Sequence, residues 1–176
     1  MKGMYQHIRK LWKKPKKEMK ELSKQRLIKW RKDPRFKKLD KPTRIDKARS
    51  LGYKAKKGFV IVRARIKRGG RKRPHYKWRG RKPSKAGITG FTPTKSLQNI
   101  VEARVARKYP NMEVLNSYPV LEDGQHSWVE IILIDPHHLN IKSDPKLKWI
   151  CKSKHKRRVF RGLTSSGRKN GKKQFK

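Results

Sequence analysis

The chain has 176 residues, 53 of them Lys or Arg against 12 Asp or Glu, for a net charge of +41. Repulsion on that scale calls for a polyanionic partner, and nucleic acid is the first candidate. No stretch reaches the roughly 18 to 20 apolar residues of a membrane span, residues 1–12 lack the apolar centre of a signal peptide, and no lipidation signal or large apolar helical face supports a membrane-surface protein.

The single Cys151 can form neither an internal disulfide nor a zinc site of its own, and is expected as a buried, inert thiol in an intracellular chain. Leu, Ile, Val and Phe number 37, just above the roughly 20% share below which high net charge goes with disorder. Eighteen of them lie in residues 59–66 and 97–134. One small core with long basic extensions is therefore expected.

Met4, Ile8, Leu11 and Trp12 recur at helical spacing and predict an N-terminal helix, which Pro15 interrupts or follows with a second. Residues 16–32 carry Met19, Leu22, Leu27, Ile28 and Trp30 in an imperfect stripe, a helix that needs a partner to become regular. Asp33-Pro34 and Lys41-Pro42 mark helix ends or turns. Residues 59–66 predict a strand with Val60, Val62, Ala64 and Ile66 on a packed face. Arg63 and Arg65 share the other face with Phe59 and Ile61 and are expected to hold phosphate there. Residues 67–85 contain ten Lys or Arg, three Gly, two Pro and no acid, a loop composition that should be disordered in isolation. Thr94 or Ser96 can cap a helix running to about Tyr109, with Leu97, Ile100, Val101, Val105 and Tyr109 as its apolar stripe. Residues 112–121 and 128–134 predict an antiparallel hairpin turning at Glu122-Asp123-Gly124. From Ser143 onward an extended basic tail is expected. There is no internal repeat, and the mixture without a strict βαβ rhythm predicts an α+β domain.

Charge is segregated along the chain. Residues 47–101 hold 18 Lys or Arg and no acid, and no acid follows Asp144, whereas residues 102–144 carry seven of the 12 acids. Acid-free runs of that length point to nucleic-acid surfaces. The acidic stretch is expected to form the packed centre, with its polar face turned away from phosphate. About ten phosphate contacts would make binding fall by roughly 10³ to 10⁵ between 50 and 200 mM salt.

RNA is favoured over DNA by His75-Tyr76-Lys77-Trp78-Arg79, where rings and guanidinium planes can stack on unpaired bases while the cations hold the backbone. The competing reading is that Tyr76 and Trp78 anchor the loop on the protein's own core. No helix-turn-helix, zinc finger, basic zipper or RNA-recognition-motif pattern is present, and Gly69-Gly70 lacks the spacing of a nucleotide-binding loop. A metal-dependent nuclease would have to use Glu122, Asp123, Glu130, Asp135, His137 and His138. In a regular strand, however, Glu130 and Asp135 point to opposite faces, and two adjacent His cannot fill a metal shell alone. A DNA-compacting protein would explain the charge but not the loop aromatics.

Residues 46–69, D-K-A-R-S-L-G-Y-K-A-K-K-G-F-V-I-V-R-A-R-I-K-R-G, resemble the signature of the L-fifteen-e family of archaeal and eukaryotic large-subunit ribosomal proteins. The likeness continues in G-G-R-K-R-P (69–74), V-L-N-S-Y (114–118), E-I-I-L-I-D-P-H-H (130–138) and R-G-L-T-S-S-G-R-K (161–169), and so covers nearly the whole chain. The resemblance implies a small, mostly antiparallel α+β domain whose basic segments thread large-subunit ribosomal RNA, with no catalytic role. Carried over by position, the RNA contacts are Lys47, Arg49, Tyr53, Lys54, Lys56 and Lys57 around the L-G-Y turn. The strand and loop add Arg63, Arg65, Arg68, Arg71, Lys72 and Arg73, and the tail adds Arg161, Arg168 and Lys169. Eukaryotic members continue with a further basic tail, whose contacts do not carry over, and the shorter form is closer to the archaeal one.

The charge map extends that set to Lys67, His75, Lys77, Trp78, Arg79, Arg81 and Lys82 in the loop, and to Lys154, Lys156, Arg157 and Arg158 in the tail. The expectation is thus a single domain over 1–176 with a basic N-terminal helical segment, an internal loop over 67–93 and a tail over 143–176 ordered by RNA. Its expected partners are large-subunit ribosomal RNA and neighbouring ribosomal proteins in the cytoplasm. No cofactor, metal, membrane, DNA or small-molecule substrate is expected.

Overall fold

Residues 128–134 form the most apolar run of the chain, broken only by Glu130, and a run of that kind suits a strand covered on both faces. In the computed structural model, which describes residues 3–72, 90–91 and 93–174, it lies in β6 (His126–Ile134). The remaining strands of the main sheet are β1 (Phe36–Leu39), β2 (Phe59–Lys67) and β5 (Glu113–Glu122). The sheet is antiparallel throughout, in the order β1-β2-β6-β5, so β2 and β6 are its centre. A second, two-stranded sheet pairs β3 (Arg71–Lys72) with β4 (Gly90–Phe91). Edge strand β5 carries register shifts at Val114/Asn116 and Pro119/Leu121. An edge is the position where a proline, with no N–H to donate, is tolerated.

Helices cover both faces. On one side lies α5 (Leu97–Lys108), whose Val101 and Val105 pack on Val62, Ala64, Ile66, Val129, Ile131 and Leu133. Ser96 is the cap, since its Oγ accepts from the Asn99 amide at 3.3 Å. On the other side lie α1 (Met4–Lys13), α2 (Pro15–Glu18), α3 (Lys20–Lys32) and α4 (Ile45–Ser50). Their Trp12, Trp30 and Ala48 pack over Ile61, Tyr118, Trp128 and Ile132. Pro15 opens α2, where its missing N–H costs nothing. Each of the central side chains removed from water in this way contributes about 1.5–3 kcal/mol.

Two expectations are corrected by this architecture. The second face of β2 is covered by the N-terminal helices, so Arg63 is only 7% exposed instead of facing solvent. The C-terminal segment folds instead of extending: α6 (Leu139–Lys142), two 3₁₀ turns (Lys148–Cys151 and Ser153–His155) and α7 (Ser165–Gln174) follow one another. Ile134, Ile141, Leu147 and Ile150 form a third buried cluster, and Val159 joins the α5 side of the core. Apolar residues spaced widely through a basic stretch gave no periodic signal, yet they suffice to dock it. Cys151 is half-buried and unpaired.

Candidate nucleic-acid interface

Several of the few acids hold distant segments of the chain in place. Glu102, fully buried on α5, accepts hydrogen bonds from Ser117 Oγ on β5. Its other oxygen accepts from Thr164 Oγ1 and Ser166 Oγ, both at 2.7 Å, which docks the start of α7. Glu130, also fully buried, accepts from Tyr118 Oη at 2.6 Å and from the amide and hydroxyl of Thr43. Glu113 receives the backbone amides of Arg157 at 2.7 Å and Arg158 at 3.3 Å, and Arg157 there adopts a positive φ of 52°. Asp33 binds Arg63 and Lys37, each at 2.6 Å, and Asp123 binds Arg31 at 2.9 Å. Four of the seven acids of residues 102–144, Glu102, Glu113, Asp123 and Glu130, thus act as internal staples, whereas Glu122 is exposed.

The same inward use accounts for much of the 46–69 segment. Tyr53 is 9% exposed and meets Phe59 edge-on at 5.6 Å. Gly52 has a φ of +98°, which lets the chain leave α4 while the Tyr53 amide bonds to Ala48 O. Gly58, at φ +96°, lies where a Cβ would come within 2.7 Å of Ile141. Lys54 and Lys56 both bind Asp144, at 2.8 and 2.6 Å. These two hydrogen bonds hold the Asp144 carboxyl well below the ordinary range. Lys47, Arg49 and Lys57 remain exposed around this turn, and Arg49 lies over the Tyr5 ring at 5.6 Å.

Arg63 is a structural cation. Its guanidinium lies 4.1 Å above the Trp30 ring and bonds to Asp33. Partial burial opposes ionisation of Asp33, but Lys37 and Arg63 outweigh it and keep its carboxyl below the ordinary range. Across the sheet Arg63 sits opposite Glu130, which in turn sits opposite Tyr118. Burial first, then the neighbouring Glu130 carboxyl, pushes the Tyr118 phenol far above its ordinary value. Both carboxylate oxygens of Glu130 are thus engaged by Tyr118 and Thr43. Among the described residues no group of three or more His, Cys, Asp or Glu could hold a metal.

A groove of about 820 Å³ lies between the end of β2, the start of β3 and α5. Arg65, Lys67, Arg68 and Arg71, all expected RNA contacts, line it together with Arg35, Lys95 and Arg104, and no acid does. Its wall is Ile66, Pro93, Leu97, Ile100 and His126. Carbonyl oxygens hold two of the cations in place: Arg65 Nη1 donates to Arg31 O and Arg68 Nη1 to Asp123 O, both at 2.6 Å. Burial, followed by the nearby charges of Arg35, Arg71 and Arg107, lowers the Arg104 guanidinium below its ordinary value. Arg35, Lys95 and Arg104 were missed from the sequence because two of them lie outside the acid-free run. The usable signal was helical: Arg104 follows Ile100 by four residues and Leu97 by seven, and so shares their face.

In the C-terminal segment Lys154, Lys156, Arg157, Arg161, Arg168 and Lys169 are exposed. Arg161 folds the turn by donating to Lys154 O at 2.7 Å. Arg158 is different: it is 5% exposed, lies 4.7 Å from the Trp149 ring centre and donates to Leu163 O at 3.1 Å, so it is part of the packing. Gly162, at φ +69°, and Gly167 approach so closely that a Cβ on Gly167 would meet Gly162 Cα at 2.8 Å. Lys72 contributes backbone pairing to β3. The expected contacts Arg73, His75, Lys77, Trp78, Arg79, Arg81 and Lys82 lie outside the described residues, as do Tyr76 and its alternative role as a core anchor.

Among the described residues no helix is long and apolar enough to cross a membrane. The Ribosomal L15 family model matches residues 3–174. The chain is also similar to the large ribosomal subunit protein eL15 of Methanocella arvoryzae, with 52% identity over 170 residues that cover 96% of this chain and 86% of that protein. The likeness thus covers nearly the whole chain, and the chain belongs to the ribosomal L15e family, a family of ribosomal proteins and not of enzymes.

Proposed function

We propose that the protein is a structural constituent of the large ribosomal subunit in the cytoplasm, where it binds ribosomal RNA and holds neighbouring RNA elements together. The observation that carries this reading is the division of labour among charges. Eight of the acids bond to partners within the protein, while a groove with seven cations and no acid stays on the surface. Phosphate is the counter-charge such a surface lacks. The exposed cations Lys47, Arg49, Lys57, Lys67, Arg68 and Arg71, with the half-buried Arg65, form the RNA face of the domain, and the exposed Lys154, Lys156, Arg157, Arg161, Arg168 and Lys169 that of the C-terminal segment. Lys54 and Lys56 join them from the Asp144 staple, whereas Arg63, Tyr53 and Arg158 act by holding the fold. Basic loop residues 73–82 complete the contact set, and neighbouring ribosomal proteins meet the remaining surface.

Sedimentation of cell extract at moderate salt tests the assignment. The protein should travel with free large subunits and whole ribosomes, and recovery with DNA alone would refute it. Replacing Arg71 and Arg73 by Ala should weaken incorporation into the subunit and flatten the salt dependence of RNA binding, with residues 94–134 still folded. An unchanged salt slope would remove this loop from the phosphate contacts.

A further inference from the structure

The groove differs from the other basic surfaces in shape and in chemistry. Duplex RNA offers a convex ribbon of phosphates, which suits the outward cations of α4 and of the C-terminal segment. A concave site with one apolar wall suits something that projects from the RNA. Arg65, Arg68 and Arg104 line this groove together with the apolar Leu97 and Ile100 and the imidazole of His126. His126 is itself steadied by the Trp128 ring, 5.9 Å away. The volume of about 820 Å³ falls within the roughly 300–1,000 Å³ typical of small-ligand sites.

We propose that this groove receives a single extruded, unpaired RNA nucleotide, with its base against Leu97, Ile100 and His126 and its flanking phosphates on Arg65, Arg68 and Arg104. This deepens the ribosomal RNA-binding reading and rests on it. Three features favour a nucleotide over a bare phosphate run. Ile66, Pro93, Leu97 and Ile100 give the groove an apolar lining beside the His126 ring, against which a base can pack. The guanidiniums of Arg65 and Arg68 are oriented in advance by carbonyl oxygens, which leaves their other donors for phosphate. Arg104 is crowded by like charge from Arg35, Arg71 and Arg107, a repulsion that a bound phosphodiester relieves.

The test uses the full chain and two RNA hairpins, identical except that one carries a single bulged 2-aminopurine nucleotide. At roughly 200 mM salt, where phosphate-only binding is weakened, the bulged hairpin should bind about tenfold more tightly. Its 2-aminopurine emission should change on binding. Arg104→Gln should remove most of that preference while altering affinity for the plain hairpin by less than about twofold, and the exposed Lys95→Gln should do the same to a smaller extent. Lys154→Gln, outside the groove, should weaken both hairpins equally. Equal binding of the two hairpins by the unaltered protein, or unchanged emission, overturns the nucleotide site and leaves RNA binding intact. Failure to bind either hairpin overturns both readings. Displacement of the bulged hairpin by poly-glutamate as readily as by unlabelled bulged RNA would assign the groove to an acidic protein segment instead.

Discussion

Two residues apart on α5, Glu102 turns inward to hydroxyls on β5 and the C-terminal segment, while Arg104 turns to a groove that gathers further cations and no acid. Both are charged residue types on one helix of 12 residues, yet one closes the protein on itself and the other leaves charge unmatched. Staples of the first kind let a chain of net charge +41 fold, and clusters of the second kind give it a reason to bind a polyanion.

The comparison breaks most visibly at Glu102. Glu102→Ala would leave Ser117, Thr164 and Ser166 buried without their acceptor and should cost about 3–4 kcal/mol of stability in a urea titration. Proteolysis should then release the segment after Lys152 first. Arg63→Ala removes the buried cation from Asp33 and from the Trp30 ring, and should cost about 3 kcal/mol. Thr164→Val keeps the shape but withdraws one donor from Glu102, for a loss of about 1 kcal/mol. Arg104→Gln should leave the free energy of unfolding within about 0.5 kcal/mol of that of the unaltered protein. In the same variant the slope of log binding against log salt for the bulged hairpin should fall by about one.

The smallest effect is on pH dependence. Asp33, Asp123 and Asp144 are all held below their ordinary value: Lys54 and Lys56 act on Asp144, while Lys37 with Arg63, and the His126 amide with Arg31, outweigh partial burial of the other two. Groups depressed in the folded state stabilise it above the unfolded carboxyl value of about 3.9, and that contribution is lost as pH falls through the lower folded values. Unfolding curves should therefore move to lower urea below about pH 4. Asp144→Asn should flatten this acid limb slightly, and an unchanged limb would show that the Lys54 and Lys56 contacts do not persist in solution.

Sequence periodicity captured the elements that are locally self-consistent. Helix α5 with its Ser96 cap, the β5–β6 hairpin and strand β2 all appear within a residue or two of their predicted bounds. It missed β1, a four-residue strand of Phe-Lys-Lys-Leu whose pairing with β2 is its only reason to extend. It also misassigned the second face of β2, because Arg63 and Arg65 alternate there as an exposed face would, and nothing nearby in the chain announces that Trp12 and Trp30 return to cover it. At the candidate interface, Arg65, Lys67, Arg68 and Arg71 were legible from the acid-free run. Arg104 reaches the same groove on the α5 face of Leu97 and Ile100, a helical signal, whereas Arg35 arrives from the approach to β1 and only three-dimensional proximity could add it.

Composition by itself determined the need for a polyanion, and the order of apolar residues determined an α+β domain, because both follow from local counts and spacings. Which charges face that polyanion was decided by the tertiary structure alone. A buried carboxyl must find its donors wherever the chain brings them, and Glu102 finds two of its own 62 and 64 residues away. Acids consumed in this way no longer offset nearby cations, and among the described residues the groove around Arg104 and the folded C-terminal segment are two of the places left with a surplus of positive charge.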